Sequence, residues 1–316
     1  QSISIDAKKE GNHVDLRTVF PDTQASAAIG GYEVELLITV PSSISITAEN
    51  LFGDCYIDGV EDDVTVDVGF GGIYLSNIGG QVNVRAKGEY PMNISDLRNG
   101  GTFFLRGTQA HFSRIGGHIT IQNHLGDVTI ENLLEEADVA VTCDNGPIHL
   151  ILPVDAEPYI YATTEFGGLE SDIPLERQTW GKTSIAYTPE HPATQRIELS
   201  SSFDSIYIQT RAQELVATPA TIEDTEAVQQ SVTTTIPVAP RRNLILDSIG
   251  GNILLEGVEN SETIRLETTR FVRLHNTEHA QEALDLLRWT REETENTLKI
   301  TTFTQGDLAA LGVEDF

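Results

Sequence analysis

The feature that most constrains this chain is a short internal repeat, because missing it would misassign the whole fold. Val64-Thr-Val-Asp-Val-Gly-Phe-Gly-Gly-Ile-Tyr-Leu-Ser-Asn-Ile78 aligns without a gap on Ile119-Thr-Ile-Gln-Asn-His-Leu-Gly-Asp-Val-Thr-Ile-Glu-Asn-Leu133. Each unit is an alternating apolar strand, a glycine turn, a shorter apolar strand and a Gly or Asn turn. On that frame three columns appear at steps of 18 to 20 residues. The first is Cys55, Ile73, Met92, Ala110, Val128 and Ile148; the second is Ile57, Leu75, Ile94, Phe112, Ile130 and Leu150; the third is Val60, Ile78, Leu97, Ile115, Leu133 and Pro153. The intervening Tyr56, Tyr74, Asn93, His111, Thr129 and His149 are polar or amphipathic, as the outward face of a strand requires.

A unit this short cannot bury its own apolar side, yet it can stack on an identical neighbour. The repeat therefore predicts an all-β fold, a parallel β-solenoid of coils of about 19 residues stacked about 4.8 Å apart. Glycines 53, 71, 72, 126 and 146 mark one corner and glycines 59, 79, 80, 100, 101, 116 and 117 the other. An antiparallel meander is the rival, since hairpins also turn on glycine.

The expected organisation is a solenoid over 1–210, an extended linker over 211–240, a partial second β module over 241–303 and a tail over 304–316. The linker assignment follows from a stretch rich in Thr, Ala, Gln and Pro, including Ser231-Val-Thr-Thr-Thr-Ile-Pro-Val-Ala-Pro240. Beyond it the repeat returns: Leu244, Leu246, Ile253, Leu255 and Val258 match Val64, Val66, Ile73, Leu75 and Ile78. A short helix is predicted over Glu278–Arg288, with Ala280, Ala283, Leu284 and Leu287 on one face.

The two ends also resemble each other. Ile3, Ile5, Asn12, Val14 and Leu16 fall on Leu287, Trp289, Asn296, Leu298 and Ile300, a hairpin turning just before the Asn. The order of strand, helix, hairpin, Val40-Pro41 and Gly-rich rungs resembles the adhesin-like family of β-strand-repeat envelope proteins, over about 240 of the 316 residues. That resemblance implies a β-solenoid, an exported or membrane-anchored location and an adhesive, structural or stress-related role. It brings no catalytic residues, and the split module departs from a plain family member.

Composition narrows the partners. Against 48 Asp and Glu stand 20 Lys and Arg, a net charge of −28 whose field repels nucleic acid and anionic lipid. No run of 18 apolar residues exists, so no membrane span is expected. The opening Gln1-Ser-Ile-Ser-Ile carries neither Met nor a charged, apolar leader and reads as a mature, processed N-terminus, while the expected extracellular or cell-surface location is what the resemblance implies. Cys55 and Cys143 are too few for a disulfide framework and lie five coils apart, about 24 Å at the strand spacing, so both are expected to be buried and unpaired.

No enzyme is expected. His275-Asn-Thr-Glu-His279 matches an inverted zinc-protease motif, but Asn276 reads as a helix N-cap that leaves His275 outside the helix, so neither a metal nor a catalytic site is assigned there. Asp54, Asp58, Asp62 and Asp63, with Glu61, form a weak Ca²⁺ candidate, whose plain reading is a solvated acidic loop. No other cofactor is implied, and surface carbohydrate is a conceivable ligand. Two roles are expected to compete. The first is a structural subunit polymerising head to tail, residues 241–303 of one copy meeting residues 1–40 of the next. The second is a monomeric envelope-anchored adhesin or stress-sensor domain capped by its own C-terminal module.

Overall fold

The computed structural model describes residues 4–10, 13–19, 32–189, 193–211, 228–237, 243–248, 252–258, 261, 263–272, 287–293 and 297–304. It is all β, with no helix among the described residues. The chain forms two compact units, residues 69–218 and residues 1–68 with 219–316, a division that cuts across the boundaries expected at 210 and 240.

The continuous unit is a two-sheet parallel solenoid. One sheet takes β8 (Val82–Lys87), β10 (Gly100–Arg106), β12 (His118–His124) and β14 (Asp138–Asp144). The other takes β7 (Ile73–Ile78), β9 (Pro91–Leu97), β11 (Gln109–Ile115), β13 (Val128–Glu131) and β15 (Ile148–Pro153). Consecutive strands alternate between the sheets, so neighbours within a sheet lie one repeat apart and run parallel. Leu75 pairs with Ile94, Ile94 with Phe112, Phe112 with Ile130 and Ile130 with Leu150, which is the second column of the repeat in register. All six residues of that column are at most 1% exposed. Phe112 meets Phe103 of the opposite sheet edge to face, with ring centroids 4.8 Å apart.

Two local devices shape each coil. At one corner Gly126 adopts φ +137°, and a Cβ on Gly146 would lie 2.1 Å from the Gly126 carbonyl oxygen, so successive coils approach backbone to backbone. At the other, Asn77, Asp96, Arg114 and Asn132 all hold φ between 52° and 55°. Each precedes a third-column residue, and the left-handed kink explains why that column lies three residues beyond the second rather than two. Inside the corners a row of buried polar side chains serves the turn carbonyls: Asn123 Nδ2 donates to Thr108 O and Gly126 O, Cys143 Sγ to Gly126 O, and Thr164 and Ser201 hydroxyls to Asp204 O.

The last coils of this unit break chain order. β16 (Tyr159–Glu165) does not stack on β14; β20 (Arg196–Ser202) inserts between them, parallel to both. In the other sheet β21 (Ile206–Arg211) likewise separates β15 from β17 (Leu169–Ser171). The outer edge is then closed antiparallel by β19 (Thr183–Tyr187) and β18 (Glu176–Trp180), and an antiparallel edge hairpin does not continue a parallel stack.

Both cysteines are free and wholly buried. Burial, with Asp54 nearby, pushes the Cys55 thiol up to about 12; burial, with Asp144, Asp127 and Asp204, does the same to Cys143. Neither is therefore expected to react with iodoacetamide at pH 8 until the chain unfolds, as mass spectrometry before and after denaturant would check. The sign of the linkage is fixed by the upward shift: this stability is complete below the unfolded thiol value of 9.0 and drains away as pH climbs towards 12.

The discontinuous unit contains β1 (Ser4–Glu10), β2 (His13–Val19), β3 (Tyr32–Pro41), β4 (Ile46–Phe52), β5 (Cys55–Asp58) and the start of β6 (Val64–Phe70). From the C-terminal part come β22 (Val228–Pro237), β23 (Asn243–Ser248), β24 (Ile253–Val258), β25 (Thr263–Val272), β26 (Leu287–Glu293) and β27 (Thr297–Thr304). The duplication of the ends is structural. Ser4 pairs with Val19 as Arg288 pairs with Phe303, and Lys9 with Val14 as Glu293 with Leu298, two hairpins in one register at a constant offset.

Two expectations change here. A third of the linker is strand: β22 pairs antiparallel with β25 along its length, and its Thr-rich alternation, with Thr233 and Thr235 exposed and Ile236 buried, suits a sheet edge. Residues 212–227 lie outside the described residues. So does the helix expected over 278–288, except that Leu287 and Arg288 open β26 as strand.

Candidate functional site: a slot filled by a distant strand pair

β3, β4 and β5 follow one another in the chain, yet β3 and β5 are not neighbours. β24 lies between them, parallel to both: Ile253 pairs with Leu36 on one side and Cys55 on the other, and Leu255 with Ile38 and Ile57. In the companion sheet β23 runs parallel to β4 on one edge, Leu244 against Ile46 and Leu246 against Ala48, and to β27 on the other. A coil contributed some two hundred positions later thus completes the first coils of the unit.

The filler is built for that place. Leu244, Ile245, Leu246, Ile253 and Leu255 are all at most 3% exposed. Ile245 faces away from Leu244 and Leu246 and is nevertheless buried, on a strand against which β2 lies. This is why 244–246 reads as an unbroken apolar run. Burying five such side chains stabilises the filled state by an upper bound of roughly 10 kcal/mol.

Polar bonds fix the register. Leu244 N donates to Ser45 O at 3.0 Å, Ile253 N to Asp54 O at 2.8 Å, Ser42 N to Val258 O at 3.1 Å, and Asp54 N to the Asn252 side-chain oxygen at 3.0 Å. The tightest fit is at the corner, where a Cβ on Gly257 would come within 1.9 Å of the Gly59 carbonyl oxygen. Filler and host meet there backbone to backbone, and no side chain fits between them.

The sequence candidates are dispersed by comparison. Asp54 sits at the corner before β5, where its carboxylate accepts from the Tyr56 hydroxyl at 3.1 Å, while Asp62 accepts from the Asp63 backbone N–H in the exposed turn before β6. Asp58 ends β5, and Glu61, Asp62 and Asp63 are exposed. Among the described residues no group of three or more His, Cys, Asp or Glu is gathered as a metal-binding set. His275, Glu278 and His279 lie outside the described residues. No helix among the described residues is long and apolar enough to cross a membrane.

The slot defines a class of architecture, a two-sheet parallel β-solenoid completed by a non-sequential coil. No family model matches the chain, and neither a curated protein nor a solved structure is similar to it. The functional reading therefore rests on geometry and charge.

Proposed function

We infer that this chain is a non-enzymatic structural protein of the cell surface whose subunits join head to tail into an extracellular filament, β23 and β24 of one copy filling the slot of the next. The observation that carries this reading is the slot itself. A first coil whose neighbour must come from a distant segment accepts the same segment from a second copy with the same hydrogen bonds, and a heterologous contact that does not close propagates. The adhesin-like resemblance of the sequence supports an envelope location.

A second reading is a monomeric adhesin or sensor domain. It is favoured by the slot being filled within one chain, since an intrachain filler is at a higher effective concentration than a second copy.

One variant separates the two. Glu256 and Asp58 are register partners on β24 and β5, and parallel neighbours about 4.8 Å apart fall inside the Cα range of a disulfide, about 4.4–6.8 Å. After oxidation, Asp58→Cys/Glu256→Cys is expected to give a ladder of covalent multimers on a denaturing, non-reducing gel. A single fast-migrating monomer band would sink the filament and support the capped monomer. The buried native thiols, pushed up to about 12, do not compete.

A further inference from the structure

The outer face of the β8–β14 sheet carries a charge pattern that the rest of this acidic chain does not lead one to expect. Register aligns Arg85, Phe104, Gln122 and Thr142 in one outward row, and Lys87, Arg106, His124 and Asp144 in the next. A third row, Asn83, Thr102, Thr120 and Ala140, is uncharged. These three rows hold one carboxylate, Asp144, in a chain whose acids outnumber its bases by more than two to one, and a fourth outward row sets Asp138 against His118 at 3.0 Å.

That carboxylate already has a neighbour, because Asp144 lies 3.8 Å from His124. Arg85, Lys87 and Arg106 are exposed and make no ion pair among the described residues. Placing three cations together costs mutual repulsion, and the one carboxylate that lines the same groove, Asp144, stands beside His124 rather than beside them. The three flank a shallow groove of about 360 Å³, lined in part by Phe104, which is 45% exposed.

We propose that this groove binds a linear, carboxylate-bearing polysaccharide, with Arg85, Lys87 and Arg106 pairing its carboxylates, Phe104 stacking on a sugar face and Gln122 and Thr142 meeting its hydroxyls. The site lies wholly within residues 69–218 and stands independently of the filament reading. The net charge of −28 does not forbid it, because the field of exposed charges is screened over about 8 Å at physiological ionic strength and the ligand meets the local cations first. Single-stranded nucleic acid fits less well: such platforms stack successive bases on several aromatic rings, and this face offers one. A second copy's acidic loop would meet the same cations but would leave Phe104 and the Gln122–Thr142 row without use.

The test is calorimetric titration of the full chain with a defined-length oligogalacturonate at physiological ionic strength, beside its neutral oligosaccharide counterpart and an oligothymidylate of equal charge. Binding to the oligouronate alone is expected. It should weaken at least roughly tenfold in Arg85→Gln/Lys87→Gln/Arg106→Gln, the combined effect of three exposed ion pairs. Phe104→Ala should weaken it severalfold without changing the salt dependence. The charge-reversed triple variant to Glu should bind nothing while keeping the wild-type circular dichroism. Failure of the wild type to bind, equal binding by the Gln variant, or tighter binding of the oligothymidylate would each overturn the proposal. So would a loss of self-association, rather than of sugar binding, in the Gln variant, which would reassign the strip to contact between copies.

Discussion

Replacing Gly257 with alanine is expected to cost the discontinuous unit about 3 kcal/mol or more and to expose both strands that flank β24. The added Cβ would stand 1.9 Å from the Gly59 carbonyl oxygen and 3.2 Å from the Val60 nitrogen, all backbone on a coil that is itself held by β-ladder bonds. Neither side can turn away, so either the coil spacing opens or β24 leaves the slot. Gly168→Ala is the matched control. Its Cβ would meet the Ser205 hydroxyl at 3.2 Å, a side chain that accepts from the Gly168 N–H at 3.0 Å and can give way at the cost of that one bond, so the expected cost is about 1 kcal/mol. Denaturant unfolding gives the energies, and amide exchange over 36–41 and 55–58 locates the damage. Unchanged protection of those strands in Gly257→Ala would mean that β24 does not occupy the slot.

The coils were legible because their signal is doubly redundant: a period of two within each strand and a period near nineteen between strands. Each column position is fixed by several equivalents, and the register of Leu75, Ile94, Phe112, Ile130 and Leu150 came out as the repeat predicted. Stacking order was not legible, for the same reason. Leu244, Leu246, Ile253 and Leu255 look like any other rung, so the pattern says that they form a coil and not between which coils they lie. The insertion of β20 and β21 ahead of β16 and β17 is the same blindness, since Ile197, Leu199, Ile206 and Ile208 carry the rung pattern without an address.

Smaller misses have local causes. The left-handed kinks at Asn77, Asp96, Arg114 and Asn132 use ordinary polar residues, two of which, Asp96 and Arg114, pair with each other across coils. Only the recurrence of Asn at two of these positions could have marked them. β22 was hidden because Thr serves both linkers and exposed strand faces, and nothing local distinguishes the two until a partner such as β25 exists. The cationic groove was invisible to a reading that weighed the net charge, because Arg85, Lys87 and Arg106 lie on different coils and only the register brings them together.

Removing residues 241–316 is expected to abolish assembly and to unfold the discontinuous unit while leaving the strands of residues 69–218 formed. The truncation takes away β24 and β25, the only partners of β3 among the described residues, and one of the partners of β5. It also removes the five buried filler side chains, whose contribution of up to roughly 10 kcal/mol is comparable to the whole stability of an ordinary domain. The loss is therefore expected to be local and nearly complete: amide protection disappears over 32–41 and 55–58, and the parallel rungs from β8 to β14 keep theirs. A synthetic peptide of residues 243–258 added in trans is then expected to restore protection to β5 and β24-facing β3, because the filler's hydrogen bonds and apolar contacts to these strands are made by that segment alone. The same peptide carrying Gly257→Ala should fail. Rescue by the first peptide and not the second identifies the slot as an interface that a separate chain can fill, the step on which head-to-tail joining depends. A truncated protein that still polymerises, or that keeps its protection over 55–58 without the peptide, would refute the slot as the point of assembly.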